Sequence, residues 1–150
     1  DGIPGNADDA DVISMSLGGP SGTVELENAI NYALSYNVVI VCATGNDGAD
    51  IPSYPAAYAG VIKVGATDID DNIASFSNRG ETILAPGVNI YSTYIGGYAT
   101  LSGTSMATPH VAGVVALAWA AHPTYTGVQI RMLVEGSADS VGIVNALAVI

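Results

Sequence analysis

The feature that most constrains the fold is an uninterrupted apolar run at 38–43, which follows an amphipathic segment at 24–36. Six apolar residues without alternation are typical of a strand buried on both faces of a sheet. The preceding segment repeats its apolar residues at the spacing of one helix face. A second strand is predicted at 12–15, and a strand, helix and strand with short links form a right-handed parallel unit. We therefore predict an α/β fold with a mostly parallel sheet.

Later segments of the chain fit the same fold. Strands are predicted at 61–66 and 83–85, a hairpin at 90–101 and a helix at 127–136. Residues 111–121 are apolar nearly all round, which predicts a central and buried helix. Open α/β sheets bind ligands at the carboxyl ends of their strands. The loop after 38–43 is therefore expected to belong to a functional site.

The charge of the chain excludes several classes of partner. Fourteen acidic residues stand against three basic ones, which gives a formal net charge of −11. A surface of this kind repels nucleic acid and anionic membranes. The longest strongly apolar stretch, 111–121, is far shorter than the ~20 residues that a membrane-spanning helix needs. At 150 residues, 49% of them hydrophobic, the chain is expected to form one domain with a substantial core.

The chain has a single cysteine, Cys42, inside the apolar run at 38–43. It can form no disulfide within the chain, so a small, buried, apolar role is expected. It carries no information about the redox compartment.

A serine stands at the start of a long apolar stretch that runs to Ala121. Ser105 directly follows a predicted turn at 102–104. Pro109 is expected in the first turn of a helix, where its missing N–H has no consequence. A hydroxyl at a helix N-terminus can attack a carbonyl while nearby N–H groups bind the developing oxyanion. Serine is also a common helix cap, and position alone favours that simpler interpretation.

The residues around Ser105 form a longer motif, which favours a nucleophile over a helix cap. Residues 103–113 read Gly-Thr-Ser-Met-Ala-Thr-Pro-His-Val-Ala-Gly, which resembles the nucleophile segment of the subtilisin-like serine proteases, the subtilases. Three further stretches agree in the order of the family, namely 12–19, 43–48 and 85–88. The resemblance covers about 11–150 and is closest to thermostable, calcium-dependent archaeal members. It implies a three-layer αβα fold that is incomplete at its N-terminal side, with 1–150 as the C-terminal portion of a catalytic domain.

The resemblance implies a serine endopeptidase with two catalytic residues in this chain. Ser105 would form the acyl-enzyme, and the side-chain amide of Asn46 would belong to the oxyanion hole. A neutral donor aimed at the oxygen of the intermediate is what acyl transfer requires. Asn46 lies in a glycine-rich loop, where asparagine also commonly serves as a turn former.

The resemblance also implies a cleft for a polypeptide substrate. The segment at 16–19 would pair with an extended substrate through main-chain hydrogen bonds, although two glycines after a strand equally suit a tight turn. The implied cleft residues are Ser16, Leu17, Gly18, Gly19, Ala43, Thr44, Gly45 and Ser53. They are small or uncharged, so large apolar substrate side chains are expected to be accepted, and Asp47 near the rim is expected to tolerate a basic one.

A serine nucleophile needs a base, and the base needs a carboxylate to orient it. In subtilases the aspartate and the histidine precede the segment that corresponds to 16–19, and the chain has no Asp-Thr-Gly, Asp-Ser-Gly or His-Gly-Thr segment. His110 lies five residues after Ser105 on the same helix and is expected to be a core residue, and His122 is expected to have no catalytic role. The predicted partners are therefore the N-terminal half of the catalytic domain and, as a further candidate, a propeptide.

The first eleven residues form an acidic, turn-rich segment. Its oxygen donors are Asp1, Asn6, Asp8, Asp9 and Asp11. Calcium takes 6–8 oxygen ligands in flexible geometry, but the spacing is not that of an EF-hand, and a solvated acidic loop is as good an interpretation. A similar insertion binds calcium in some archaeal subtilases, so the resemblance implies a structural calcium.

Two other functions are compatible with parts of the sequence. A non-catalytic peptide-binding or calcium-binding fragment, a pseudoprotease, is suggested by the missing base. Nucleotide binding is disfavoured, because no Gly-x-Gly-x-x-Gly or Walker pattern occurs. The resemblance implies a secreted protein, although Asp1 opens an acidic segment rather than a signal peptide.

Overall fold

Four parallel strands form the central sheet of the structure, a computed structural model that describes residues 9–80 and 82–150. The strands lie side by side in chain order: β1 (Val12–Met15), β2 (Val39–Ala43), β3 (Ile62–Thr67) and β4 (Ile83–Pro86). A separate antiparallel hairpin pairs β5 (Ile90–Tyr94) with β6 (Gly97–Leu101). The helices are α1 (Val24–Ser35), α2 (Thr104–Ala121) and α3 (Gly127–Gly136), and a short 3-10 turn covers Ala146–Ala148. The predicted α/β fold with a parallel sheet is confirmed.

Helix α1 connects β1 with β2 and covers one face of the sheet. The backbone N–H of Leu26 donates to Thr23 Oγ1 at 3.2 Å, so Thr23 caps the helix. Ile30 packs from α1 into a cluster that includes Ile40 and Cys42 of β2. Cys42 is fully buried, and this burial raises the pKa of its thiol to about 12. The expected apolar role of Cys42 is confirmed.

The larger core lies on the other face of the sheet, under α2 and α3. Val111, Val115 and Ala118 of α2 are fully buried against the strands. Leu117 of the same helix is 53% exposed, so the prediction of a helix buried all round is wrong for one side. The described elements cover only the side of α2 that faces the sheet and α3, and an apolar sequence alone does not show which sides are covered.

The fully buried side chain of Ile130 anchors α3 to this core. We expect Ile130→Ala to lower the free energy of unfolding by about 2–5 kcal/mol, because the change removes apolar contacts and leaves a cavity. Val128 lies two residues away on the exposed side of α3, and Val128→Ala is the matched control, with an expected change within about 0.5 kcal/mol. Urea unfolding of the chain measures both values. Equal effects of the two changes would contradict the described packing of α3.

Candidate active site

The loops after β1 and β2 meet the N-terminus of α2 around one cavity of about 480 Å³. Asn46 and Ser105 both line it. Of the other predicted cleft residues, six line the same cavity: Leu17, Gly18, Gly19, Ala43, Gly45 and Ser53. The carboxyl edge of the parallel sheet is therefore where the predicted residues come together, as expected for an open α/β fold.

Ser105 is the second residue of α2, and Gly103 occupies the N-cap position. The Ser105 hydroxyl therefore does not cap the helix. Pro109 is the sixth helical residue, so the prediction of a proline in the first turn is wrong: the helix begins at Thr104, earlier than the proline suggested. The partly buried Ser105 thus stands where α2 has unpaired backbone N–H groups and the positive end of its dipole.

A close approach of two loops fixes the start of α2. The backbone N–H of Gly103 donates to Gly87 O at 2.8 Å. A Cβ atom on Gly87 would lie 2.5 Å from the Cβ of Ala66 and 2.8 Å from Gly103 O, so only glycine fits there. Gly87, within the 85–88 motif, therefore allows the turn before Ser105 to pack against the sheet.

Asn46 is bound directly to the start of α2. Its Oδ1 atom accepts hydrogen bonds from Thr104 N at 2.8 Å and from Thr104 Oγ1 at 3.0 Å. Because Oδ1 is held by two donors, the NH₂ end of the carboxamide is the end left to donate into the cavity. No described residue accepts a hydrogen bond from Asn46 Nδ2. A serine hydroxyl and an amide donor thus face one solvent-accessible cavity.

Asn78 is a structural part of the site that the sequence did not reveal. It is buried, and its Oδ1 accepts from the N–H groups of Asp47 at 2.9 Å and Ala49 at 3.0 Å. Its Nδ2 donates to Thr44 O at 3.0 Å. Asn78 therefore fixes the loop that carries Asn46. The only signal in the sequence was an asparagine in a polar turn. That signal does not distinguish a buried asparagine that holds a neighbouring loop from a solvated one.

Two predicted cleft residues do not line the cavity. Thr44 is fully buried, and its hydroxyl donates to the carbonyls of Val64 and Asn78. Ser16 lies behind the nucleophile: its hydroxyl donates to Ser105 O at 2.8 Å, and the Ser105 hydroxyl donates to Ser16 O at 3.2 Å. Both residues shape the walls of the site from outside the cavity.

Gly19 lines the cavity, but its backbone is already paired. It forms an antiparallel bridge with Tyr54, with both N–H···O distances at 2.9 Å. The expected main-chain pairing of a substrate along 16–19 therefore cannot use Gly19 and is left to residues 16–18. The Tyr54–Pro55 peptide bond that follows this bridge is cis.

Neither histidine is placed to act as the base. His110 is exposed, and its Nδ1 lies 2.9 Å from Met106 O one turn earlier in α2. The prediction of a core histidine is wrong, because no described element packs over that side of the helix. His122 lies at the other end of α2 and stacks on Tyr125. Within 9–80 and 82–150, no histidine or carboxylate bonds to the Ser105 hydroxyl.

The candidate calcium ligands fall mostly outside the described residues. This applies to Asp1, Asn6 and Asp8, whereas Asp9 and Asp11 are described and exposed. In the described part of the chain, no three His, Cys, Asp or Glu residues form a group that could hold a metal ion. The calcium site stays a prediction.

A parallel sheet with a serine in the first turn of a helix and a carboxamide beside it defines an α/β protein with a hydroxyl and an amide donor at one cavity. Residues 3–148 match the model of the Subtilase family, Peptidase S8. The chain belongs to this family.

Relatives and a solved structure agree with this assignment. The chain is 52% identical over 137 residues to Subtilisin BL and Subtilisin Savinase of Lederbergia lenta, covering 89% of this chain and 51% of each relative. A mutant of the protease domain of PatA superimposes with a TM-score of 0.86 at 35% identity, covering 93% of this chain and 58% of that one. The chain therefore spans about half the length of these subtilisins.

Proposed function

We propose that this chain is the nucleophile-bearing, C-terminal portion of the catalytic domain of a serine endopeptidase. The observation that carries the proposal is the shared cavity of Ser105 and Asn46 at the N-terminus of α2. The Ser105 oxygen would attack the peptide carbonyl, and the carbonyl oxygen would become an oxyanion bound by Asn46 Nδ2 and a helix N–H. Loss of the amine would leave an acyl-enzyme on Ser105, which water then hydrolyses.

The proton of Ser105 must pass to a base and then to the leaving amine. We propose that the histidine and its aspartate lie in the N-terminal half of the domain, which would complete the site. Two features support such a partner. A second cavity of about 520 Å³, lined by Leu101, Met106 and His110, borders Ser105 and does not include the loop that carries Asn46. Leu117 on α2 is also exposed. A propeptide is a further proposed partner on the family likeness alone.

The proposed substrate is a polypeptide that lies along Leu17 and Gly18. The cavity beside Ser105 is walled by Ala43, Gly45 and Ser53, which offer no charge, so a large apolar substrate side chain fits best. Asp47 also lines this cavity and would tolerate a basic side chain. We accordingly propose broad endopeptidase activity rather than recognition of one sequence.

A fluorophosphonate probe tests the function directly. In the full-length protein the Ser105 oxygen should form a bond to phosphorus with release of fluoride, and mass spectrometry of the digested protein should find the adduct on the peptide that contains Ser105. The 150-residue chain alone is expected to react far more slowly, because it lacks the proposed base. Absence of an adduct in the full-length protein would favour the alternative of a non-catalytic peptide-binding or calcium-binding pseudoprotease, which the missing base suggests.

We also propose a structural calcium ion held by the acidic segment, supported by its five oxygen-bearing side chains and the family likeness. Chelation should lower the Tm of the full-length protein, because a ligand at about 100 times its Kd stabilises the folded state by about 2.7 kcal/mol. Restoring calcium, but not an equal concentration of potassium, should restore the Tm. An unchanged Tm after chelation would remove calcium from the proposal.

We propose that the protein acts outside the cell, as its likeness to secreted subtilisins suggests. In the described part of the chain, no helix is both long enough and apolar enough to cross a bilayer. Detection of the protein in culture medium of its source organism tests this location.

A further inference from the structure

A proline in α2 leaves the backbone of the nucleophile without its normal helical partner. In an α-helix the N–H of residue i+4 donates to the carbonyl of residue i. The residue four positions after Ser105 is Pro109, which has no N–H. The Ser105 carbonyl therefore lacks the donor that a regular α-helix provides, although Ser105 lies inside its first turn.

A residue far away in the sequence supplies the missing donor. The Ser16 hydroxyl, just after β1, donates to Ser105 O at 2.8 Å across a separation of 89 residues. The Ser105 hydroxyl donates in return to Ser16 O at 3.2 Å. The preceding carbonyl in the helix, that of Thr104, accepts from Thr108 Oγ1 at 2.8 Å and has no such deficit, because residue 108 also keeps its N–H.

We propose that Ser16 is a positioning residue for Ser105, whose hydroxyl replaces the helical hydrogen bond that Pro109 removes. This inference rests on the proposed function. The bond fixes the peptide plane after Ser105, and with it the direction of the side chain and of the helix N–H groups beside it. Small displacements of a nucleophile slow a reaction strongly, because attack needs a narrow geometry. The contact is solvent-accessible, so water partly replaces it when it is lost, and a moderate effect is expected.

The first test replaces Ser16 in the full-length protein. Ser16→Ala should lower kcat and the rate of fluorophosphonate labelling about tenfold, while KM changes less than twofold. Ser16→Thr keeps the hydroxyl and should retain most of the rate. The matched control is Ser14→Ala, an exposed serine on β1, which should have no effect on either rate. Wild-type rates for Ser16→Ala, or a loss confined to KM, would overturn the proposal.

A double-mutant cycle with Pro109 tests the reason for the bond. Pro109→Ala restores an N–H that can donate to the Ser105 carbonyl. In that background Ser16→Ala should lower the labelling rate less than threefold. A tenfold loss in both backgrounds would show that Ser16 does not substitute for the missing helical bond.

The same cycle separates failure of this inference from failure of the proposed function. Urea unfolding midpoints are independent of catalysis, and Ser16→Ala should shift the midpoint clearly in the wild-type background and little in the Pro109→Ala background. If the wild-type protein does not label at Ser105, the proposed function fails, and the unfolding cycle still decides the structural role. Equal midpoint shifts in both backgrounds would overturn that role.

Discussion

Replacing Ser105 with alanine is expected to lower the rate of peptide hydrolysis by the full-length protein by about 10⁶-fold, a figure known for loss of the nucleophile in subtilisin itself. The physical reason is that the Thr104 hydroxyl, which also lies at the start of α2, cannot replace that of Ser105, because it is fully buried and donates to Asn46 Oδ1 at 3.0 Å. Without the Ser105 oxygen no acyl-enzyme can form, and only stabilisation of direct water attack remains. Hydrolysis of a chromogenic peptide measures the loss, and fluorophosphonate labelling should disappear with it.

Ser21→Ala provides the matched control, because Ser21 is exposed and lies in the loop before α1. It should leave both hydrolysis and labelling unchanged. The Tm of the Ser105→Ala protein should stay close to that of the wild type, since the hydroxyl makes one long hydrogen bond of 3.2 Å to Ser16 O. Substantial hydrolysis by a folded Ser105→Ala protein would remove the serine mechanism.

Asn46→Asp is expected to have the second largest effect, a fall in kcat of at least 10²–10³-fold. That range is known for loss of one oxyanion-hole donor in subtilisin itself. In the wild type, Asn46 Oδ1 accepts from Thr104 N at 2.8 Å and from Thr104 Oγ1 at 3.0 Å. An aspartate keeps an oxygen at this position, so we expect the loop geometry to be retained. It replaces the NH₂ donor with a carboxylate, which repels the oxyanion of the intermediate. Steady-state kinetics should show a KM within a few-fold of the wild type.

Asn46→Leu is the informative comparison, because it removes both the donor and the acceptor. The Thr104 N–H then loses its partner, so the free energy of unfolding should fall as well, by about 1–3 kcal/mol. Asn46→Asp should unfold at nearly the wild-type denaturant concentration. A wild-type kcat for Asn46→Asp would show that this carboxamide does not bind the oxyanion.

Much of the fold could be predicted from local pattern. The run at 38–43 indicated a strand buried on both faces, and β2 is buried along its whole length. The short links around α1 predicted parallel strands, since two strands joined through a helix pack side by side with one handedness. The motif at 103–113 identified the family, which the match over residues 3–148 shows. These predictions depend on periodicity, connection length and residue order, which a sequence states directly.

The sequence by itself therefore determined the fold class, the family and the two residues on which catalysis is proposed to depend. The tertiary structure alone decided how they are held: Asn78 behind the Asn46 loop, and Ser16 as the donor to Ser105. It also showed that Gly19 is already paired and that His110 is exposed. The physical reason is that these features depend on hydrogen bonds and coverage between segments up to 89 residues apart, and no local pattern encodes which distant group meets an unpaired carbonyl.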